Sequence, residues 1–183
     1  MDETAKLVMN VTDTTRRGLV LILTQGRARR SKTDLIAHLI LKGPLFVLSG
    51  DEWLPAFELP RMIRRHTLAV KEVMNRLCTA RASSCYRLFD SLADIPSKGE
   101  PILVMDFLHQ FYDADIPLRT RLFRLRECCR ELTRLGIHRP VVVMTRAGEG
   151  EDYDKFLPAL CAVADRILTL APEFEPLQQP ALF

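Results

Sequence analysis

The stretch 18-GLVLILTQGRARRSKTDLIAHLILK-42 decides the fold class of this chain. Its first seven residues, 18–24, form an apolar run without polar alternation, which is typical of a strand buried on both faces of a sheet. The polar segment 25–33 follows, and apolar residues then recur at helical spacing through 34–42. The stretch therefore predicts a strand, a polar turn and a helix.

The same alternation continues along the chain. Further apolar runs predict buried strands at 45–49, 101–107, 140–145 and 166–170, with an additional short strand at 85–89. Two amphipathic segments predict long helices, one over 59–81 with a basic outer face and one over 117–136, which begins near a proline and ends at a glycine cap. We therefore expect an α/β fold, a three-layer core in which helices flank a mainly parallel sheet.

Composition narrows the class of protein. A chain of 183 residues with 48% hydrophobic residues can form one domain and needs no disulfide or metal to fold. The five cysteines contain no C-x-x-C pair, so we interpret them as reduced thiols in the core. No apolar run approaches the ~20 residues of a membrane span, and the acidic start MDETAKLVMN lacks a secretory pattern, which predicts a cytoplasmic protein without a membrane partner.

The turn after the first strand contains the main chemical motif, 26-GRARRSKT-33. It departs from the phosphate-loop pattern G-x-x-x-x-G-K-[ST] at one defining position, where Ser31 replaces glycine. Such a loop binds phosphate through backbone amides and a helix N-terminus, with Lys32 on the outer phosphates and the Thr33 hydroxyl on Mg²⁺. Its arginines would add charge toward a nucleotide or another anion, or would form an ordinary solvated basic loop.

Carboxylates follow two of the predicted strands. Asp106 ends 102-ILVMD-106, where a P-loop protein places the aspartate that holds Mg²⁺ through water; the alternative is a solvated strand end or a helix cap. Asp51 and Glu52 follow the strand at 45–49, and either could orient a water for attack on phosphorus. The alternative for that pair is a polar loop.

With these motifs the chain resembles the RecA-like P-loop ATPases, particularly their KaiC-like and RadA-like branch. The likeness covers about residues 18–171, which makes 18–171 the core, 1–17 an N-terminal extension and 172–183 a C-terminal tail. It implies ATP and Mg²⁺ as cofactors, Thr33 and Asp106 as metal residues, Glu52 as general base and Thr145 as polar sensor. The cofactor-binding loop would comprise Gly26, Arg29, Arg30, Ser31, Lys32 and Thr33.

Ser31 weakens the expected activity of such a loop. A non-glycine residue held at positive φ in a phosphate nest costs about 1 to 3 kcal/mol, and we expect Ser31 to carry that cost. Its side chain would also intrude where phosphate oxygens should lie, so an affinity loss of roughly tenfold or more is expected. Hydrolysis is at greater risk than binding.

Two functions of different classes follow. One is an ATP-binding domain with weak or absent hydrolysis, which acts as a switch or as a subunit of an assembly. The other is a nucleotide-free scaffold similar to degenerate recombinase paralogues in a DNA-repair complex. A competent ATPase, supported by the acidic pair at 51–52, is a third reading.

The resemblance also implies partners. RecA-like proteins commonly assemble into oligomers, so a second copy or a related paralogue subunit is expected. The sequence gives opposite indications for DNA binding. The basic helix expected at 61–81 and the basic loop at 27–32 would attract phosphates. By the resemblance, 147-AGEGEDYDKF-156 takes the place of a DNA-contacting loop of the recombinases, and its four carboxylates would repel phosphates. The arginines of 117–136 have an alternative role in ordinary helix solvation, with i,i+4 pairs to Glu127 and Glu131.

Overall fold

A computed structural model describes residues 17–25, 29–50, 56–148 and 151–170. The strands are β1 (Gly18–Thr24), β2 (Leu45–Ser49), β3 (Leu77–Arg81), β4 (Ile102–Met105), β5 (Pro140–Arg146) and β6 (Arg166–Leu170). The helices are α1 (Arg29–Lys42), α2 (Glu58–Arg64), α3 (Val70–Met74), α4 (Cys85–Asp94), α5 (Leu118–Gly136) and α6 (Glu151–Cys161). A 3₁₀ helix spans Phe107–Phe111 directly after β4.

The strands form one six-stranded sheet in the order β3-β2-β4-β5-β1-β6. Every neighbouring pair is parallel; in the middle of the sheet, for example, Val143 pairs with Leu21 on one side and Val104 on the other. All six strands therefore end on one side, which we call the carboxyl edge. The α/β expectation is confirmed, and the sheet is entirely parallel within the described segments.

Helices cover both faces of the sheet, because alternate strand residues point to opposite sides. Leu19 and Leu21 of β1 join a core with α4, α5, α6 and the 3₁₀ helix. Val20 and Ile22 join a second core with α1, α2 and α3. This arrangement makes three layers, helix, sheet and helix, as expected from strands that are apolar throughout.

The expectation of one long helix over 59–81 was wrong. The segment forms α2, α3 and then the edge strand β3. Between the two helices the Thr67 Oγ1 accepts a hydrogen bond from the Ala69 amide at 3.1 Å, a local turn that competes with a continuous helix. β3 exists because its backbone pairs with β2, a contact that helical spacing does not reveal.

Three further expectations need correction. Residues 85–89 are not a strand but the start of α4, which Ser84 caps by accepting a hydrogen bond from the Arg87 amide at 3.3 Å. Gly136 is the last residue of α5 rather than its cap, a position that Ile137 occupies in helical conformation. In the acidic segment 147–156, residues from 151 onward belong to α6.

The cysteine prediction is only partly confirmed. All five thiols are free; Cys85, Cys128 and Cys129 are buried, whereas Cys161 is half-buried and Cys78 on edge strand β3 is exposed. Within the described segments, every helix is too short or too polar to cross a lipid bilayer. The expected extension, apart from residue 17, and the expected tail lie outside the described residues.

Candidate functional site

Buried polar side chains concentrate at the carboxyl edge. Thr24 and Ser49 end their strands, Asp106 directly follows β4, and Thr145 is the second-to-last residue of β5. Gln110 lies on the 3₁₀ helix. Ser31, Lys32 and Thr33 lie in the opening turns of α1, which leaves this edge after β1. In the described part of the chain, the other buried polar residues are Arg121 and Arg139. Because burying polar groups is costly without partners, such a concentration marks a candidate site.

An ion pair lies at the centre of this cluster. The Lys32 Nζ donates to both carboxylate oxygens of Asp106, at 2.8 and 2.9 Å. The two side chains are only 7% and 11% exposed, so water screens their attraction weakly. The structure thus brings together two residues, 74 positions apart, that the sequence separately linked to phosphate and metal binding.

Asp106 has an unusual backbone conformation. Its φ of 52° and ψ of 39° are left-handed, and it is the only non-glycine residue with positive φ in the described segments. The chain turns there from β4 into the 3₁₀ helix, where the His109 amide donates to the Asp106 carbonyl at 3.0 Å. Strained backbone of this kind clusters at functional sites.

Neighbouring backbone packs tightly against that turn. The Gly50 amide donates to the Met105 carbonyl at 3.0 Å. A Cβ at Gly50 would lie 2.9 Å from the Asp106 carbonyl oxygen and 3.1 Å from the Gln110 Nε2. Gly50, directly after β2, therefore lies so close to the Asp106 turn that a side chain at this position would clash with it.

The Thr33 hydroxyl forms a hydrogen bond within α1. This hydroxyl is buried and donates to the Arg29 carbonyl at 2.9 Å, so the proton is used within the helix and oxygen lone pairs remain. Arg29 and Arg30 themselves are exposed at the start of α1. Their side chains thus lie at the rim of the cluster rather than inside it.

The expectation that Ser31 carries left-handed strain was wrong. The helix begins at Arg29, earlier than the polar turn 25–33 suggested, so Ser31 has ordinary helical geometry and is 5% exposed. Only the steric expectation remains for this residue, namely that its side chain would take space near the oxygens of a bound phosphate.

Thr145 connects β5 to the Asp106 turn. Its hydroxyl accepts a long hydrogen bond of 3.4 Å from the Leu108 amide in the 3₁₀ helix, and its carbonyl accepts one of 3.4 Å from the Thr24 hydroxyl. β5 pairs directly with β4, as the motif assignment expected. Thr145 therefore contacts the 3₁₀ helix that directly follows Asp106.

Arg121 of α5 holds the far end of that 3₁₀ helix. Its buried guanidinium donates to the Phe111 carbonyl at 3.0 Å and to the Asp152 carboxylate at 2.9 Å. Asp152 lies at the start of α6, so one of the carboxylates thought to repel DNA is paired internally. Burial, followed by the nearby Tyr153 and Asp152, raises the pKa of Tyr112 from the ordinary 10.0 to about 12.

Sequence reasoning missed several members of this cluster. Thr24, Ser49 and Gln110 are all buried at the edge, although the sequence analysis assigned none of them a role. A polar residue that ends an apolar strand is a signal that could have found Thr24 and Ser49. Gln110 offered no local signal, because its position depends on the 3₁₀ turn after β4.

Two proposed site residues cannot be placed. Gly26, the expected loop glycine, and Glu52, the expected general base, lie outside the described residues. Within the described segments no three His, Cys, Asp or Glu side chains converge as a metal site. The oxygens of Thr33 and Asp106 are hard donors that suit Mg²⁺, provided that water or phosphate completes its coordination.

A scan of protein-family models finds no match to this chain, and a search of curated proteins likewise finds no significant match. Function is therefore inferred from the residues of the site.

Proposed function

We propose that this protein binds a nucleoside triphosphate, ATP by resemblance to the RecA-like ATPases, together with Mg²⁺ at the carboxyl edge. Hydrolysis is weak or absent, and the domain acts as a switch or as a subunit of an assembly. The observation that carries the proposal is the buried Lys32–Asp106 pair beside the first turns of α1.

Charge balance supports this assignment. The N-terminus of a helix attracts anions, and Lys32 adds a full positive charge there. Asp106 neutralises that lysine within the protein. A metal cation that associates with Asp106 would release Lys32 to pair with phosphate, so metal and phosphate would bind cooperatively.

The residues present fit Mg²⁺ as the cation. One carboxylate and one hydroxyl are too few for a site built from protein alone, and Mg²⁺ commonly binds through one or two carboxylates plus phosphate oxygens and water. When bound, the ion would neutralise charge on the phosphates. The side chains that would hold it are Thr33 and Asp106, while Lys32 would contact the phosphates.

Slow or absent hydrolysis is expected from Ser31. Its side chain occupies the position where phosphate loops have glycine, so a terminal phosphate would be less closely surrounded by backbone amides. Loss of such stabilisation affects the transition state at least as much as the bound substrate.

A second candidate function is a nucleotide-free scaffold. It is favoured by the same ion pair, because Lys32 and Asp106 neutralise each other without any ligand. A scaffold would keep the pair for stability, whereas a nucleotide site would use it as an exchangeable contact.

Calorimetric titration with Mg·ATP separates the two candidates. We expect micromolar binding by the natural protein, no binding by Lys32→Ala, and unchanged binding by Lys42→Ala, a matched loss of an exposed lysine from the last turn of α1. Absence of binding at millimolar Mg·ATP would reject nucleotide binding in favour of the scaffold. Binding that survives Lys32→Ala would place the nucleotide elsewhere.

A second variant avoids the loss of the ion pair. Thr33→Val keeps the shape of the side chain and leaves Lys32 and Asp106 paired, so circular dichroism should show an unchanged fold. It removes the hydroxyl proposed for Mg²⁺, and we expect ATP affinity measured with Mg²⁺ to fall roughly tenfold or more. Affinity measured with EDTA should change little. Equal affinity with and without the hydroxyl would contradict the metal role of Thr33.

A further inference from the structure

A surface on the other side of the sheet from α1 has features of a protein interface. It comprises Arg119, Phe123, Arg126 and Arg130 of α5 with Tyr86 of the adjacent α4, and we call it the cationic face. All five residues are exposed, and Phe123 is 54% exposed despite its size. This face does not involve Lys32 or Asp106, so the inference is independent of nucleotide binding.

The carboxylates of α5 do not neutralise this face. Glu127 pairs with Arg124 at 2.8 Å and Glu131 pairs with Arg134 at 2.6 Å, both at i,i+3 rather than the expected i,i+4 spacing. The remaining exposed charges of α5 are all cationic, and they form no salt bridge within the described segments. Their charge is thus directed to solvent.

The exposed residues follow one side of the helix. Arg119, Phe123, Arg126 and Arg130 are separated by four, three and four positions, the spacing of neighbours on a helical surface. At 1.5 Å per residue they form a stripe of about 16 Å, with an aromatic ring between cations. A second helix can lie along such a stripe with an apolar contact at Phe123 and carboxylates toward the arginines.

We propose that the cationic face binds an acidic amphipathic helix of another protein. Arginine and aromatic residues are enriched at protein interfaces whereas lysine is depleted, and α5 has six arginines and no lysine. The rings of Tyr86, Phe89 and Phe123 all lie within 5.1 to 5.8 Å of the Arg124 guanidinium. These cation–π contacts already use ring surface that stacking on nucleic-acid bases would need.

Arg124 also gives the face a fixed shape. Three rings and Glu127 surround the Arg124 guanidinium. These contacts limit the motion of the three aromatic side chains and of Arg124 itself. A surface that is ordered before binding loses less conformational entropy when a partner docks. The partner chemistry that fits is a helix with carboxylates on both sides of a leucine or an aromatic residue.

The proposal is tested by selecting, from a peptide display library, peptides that bind the full-length protein. The library encodes helical peptides of about 18 residues, long enough to cover the stripe, with acidic, basic and apolar residues varied at each site. Selected peptides should carry Asp or Glu beside an apolar residue at helical spacing. Their affinity should fall roughly tenfold or more with Phe123→Ala and with the double change Arg126→Gln and Arg130→Gln.

A matched control removes the same charge elsewhere. Arg61→Gln with Arg64→Gln neutralises two exposed arginines of α2, on the other side of the sheet, and should leave peptide affinity unchanged. Failure to select acidic amphipathic peptides would overturn the proposal. So would an equal loss of affinity in the control, since general charge attraction would then explain binding.

Two further outcomes identify a different occupant. The first outcome combines two results: no acidic peptide is selected, and an oligothymidylate of about 30 nucleotides binds in a way that requires Arg126 and Arg130. This outcome would assign the face to nucleic acid. Self-association that Phe123→Ala abolishes, measured by sedimentation, would assign it to a second copy of this chain. Each result would overturn the proposed acidic helix.

Discussion

The Lys32 ammonium and the Asp106 carboxylate would each be costly to bury alone. Removal of one partner leaves the other charge in a poorly hydrated place, so we expect Lys32→Met to lower the free energy of unfolding by about 3 kcal/mol, measured by urea denaturation. Asp106→Asn should lower it by a similar amount, because it removes the carboxylate that neutralises the buried ammonium. Lys42→Met, on the exposed last turn of α1, should change it by less than about 0.5 kcal/mol.

The double variant Lys32→Met with Asp106→Asn shows whether the two single losses of unfolding free energy are coupled or independent. With both charges removed, neither is left buried alone, so we expect the loss to be at least about 1 kcal/mol smaller than the sum of the single losses. Additive losses would show that the two groups do not depend on each other, which would also remove the electrostatic basis of the proposed exchange with Mg²⁺.

The backbone of Asp106 makes its own contribution. Left-handed geometry favours glycine and tolerates aspartate or asparagine better than alanine. We expect Asp106→Gly to be more stable than Asp106→Ala by about 1 kcal/mol, although both variants lose the same ion pair. Urea denaturation of the two proteins measures this directly, and equal stability would mean that the turn relaxes when the carboxylate is absent.

The behaviour of Ser31 follows from its helical geometry. Because no left-handed strain exists to relieve, Ser31→Gly should lower stability by up to about 1 kcal/mol, as glycine does within helices. Any gain in Mg·ATP affinity, measured by calorimetry, would then report removal of the side chain from the phosphate region. Increased stability of the glycine variant would contradict the helical placement of Ser31.

Part of the candidate site was predictable from local sequence. Lys32, Thr33, Asp106 and Thr145 were identified because they follow apolar strands in recognisable patterns, and the parallel sheet brings those strand ends to one edge. The Lys32–Asp106 contact was not predicted, since it depends on the register of β1, β4 and β5. The left-handed Asp106 and the buried Gln110 depend on the tight turn after β4.

At the level of elements, helix α5 contains two adjacent buried thiols. Burial raises the pKa of Cys129 from the ordinary 9.0 to about 12. The pKa of Cys128 is raised further, mainly by burial and then by the nearby Cys129 and Cys85 thiols. A raised folded pKa gives stability that is fully present below pH 9 and is lost as the pH rises toward the folded value. The unfolded thiols ionise first, which favours unfolding.

This gives an expected pH dependence for the natural protein. Between pH 8 and pH 10 we expect the free energy of unfolding to fall by about 1 kcal/mol for each of the two thiols, measured by urea denaturation. The slope should be clearly smaller in Cys128→Ala with Cys129→Ala. Replacement of the exposed Cys78 by alanine provides the control and should leave the slope unchanged. An identical slope in all three proteins would contradict this origin.

The elements that were misassigned share a physical cause. In 59–81 apolar residues recur at helical spacing, yet the hydrogen bond between Thr67 and Ala69 and the pairing of β3 with β2 divide the segment. In 85–94 a local signal was present but not used, since Ser84 precedes a run with Cys85, Leu88 and Leu92 at helical spacing. Long-range pairing decided the first segment, and a cap decided the second.

For the whole molecule, the fold class was predictable because strands buried on both faces are apolar throughout. β1, β4 and β5 lie in the interior of the sheet and carry almost no exposed side chains, so their sequence signal was clear. β3 and β6 are the edge strands, and most of their side chains are half-buried or exposed. The weak pattern of β3 is the expected signature of an edge.

The same difference between interior and edge strands should appear in native-state hydrogen exchange. Amides of β4 and β5 bond to strands on both sides and lie between two helical layers, so their exchange should require global unfolding. Amides of β3 that pair with β2 should exchange faster by on the order of 100-fold, because β3 is an edge strand whose side chains packed against the two cores, Leu77 and Ala80, are only partly buried. Lys32→Met, which lowers global stability, should accelerate exchange in β4 and β5 and leave the local opening of β3 unchanged. Equal acceleration in all three strands would mean that β3 opens only with the entire sheet, and that the molecule unfolds as one cooperative unit from edge to edge.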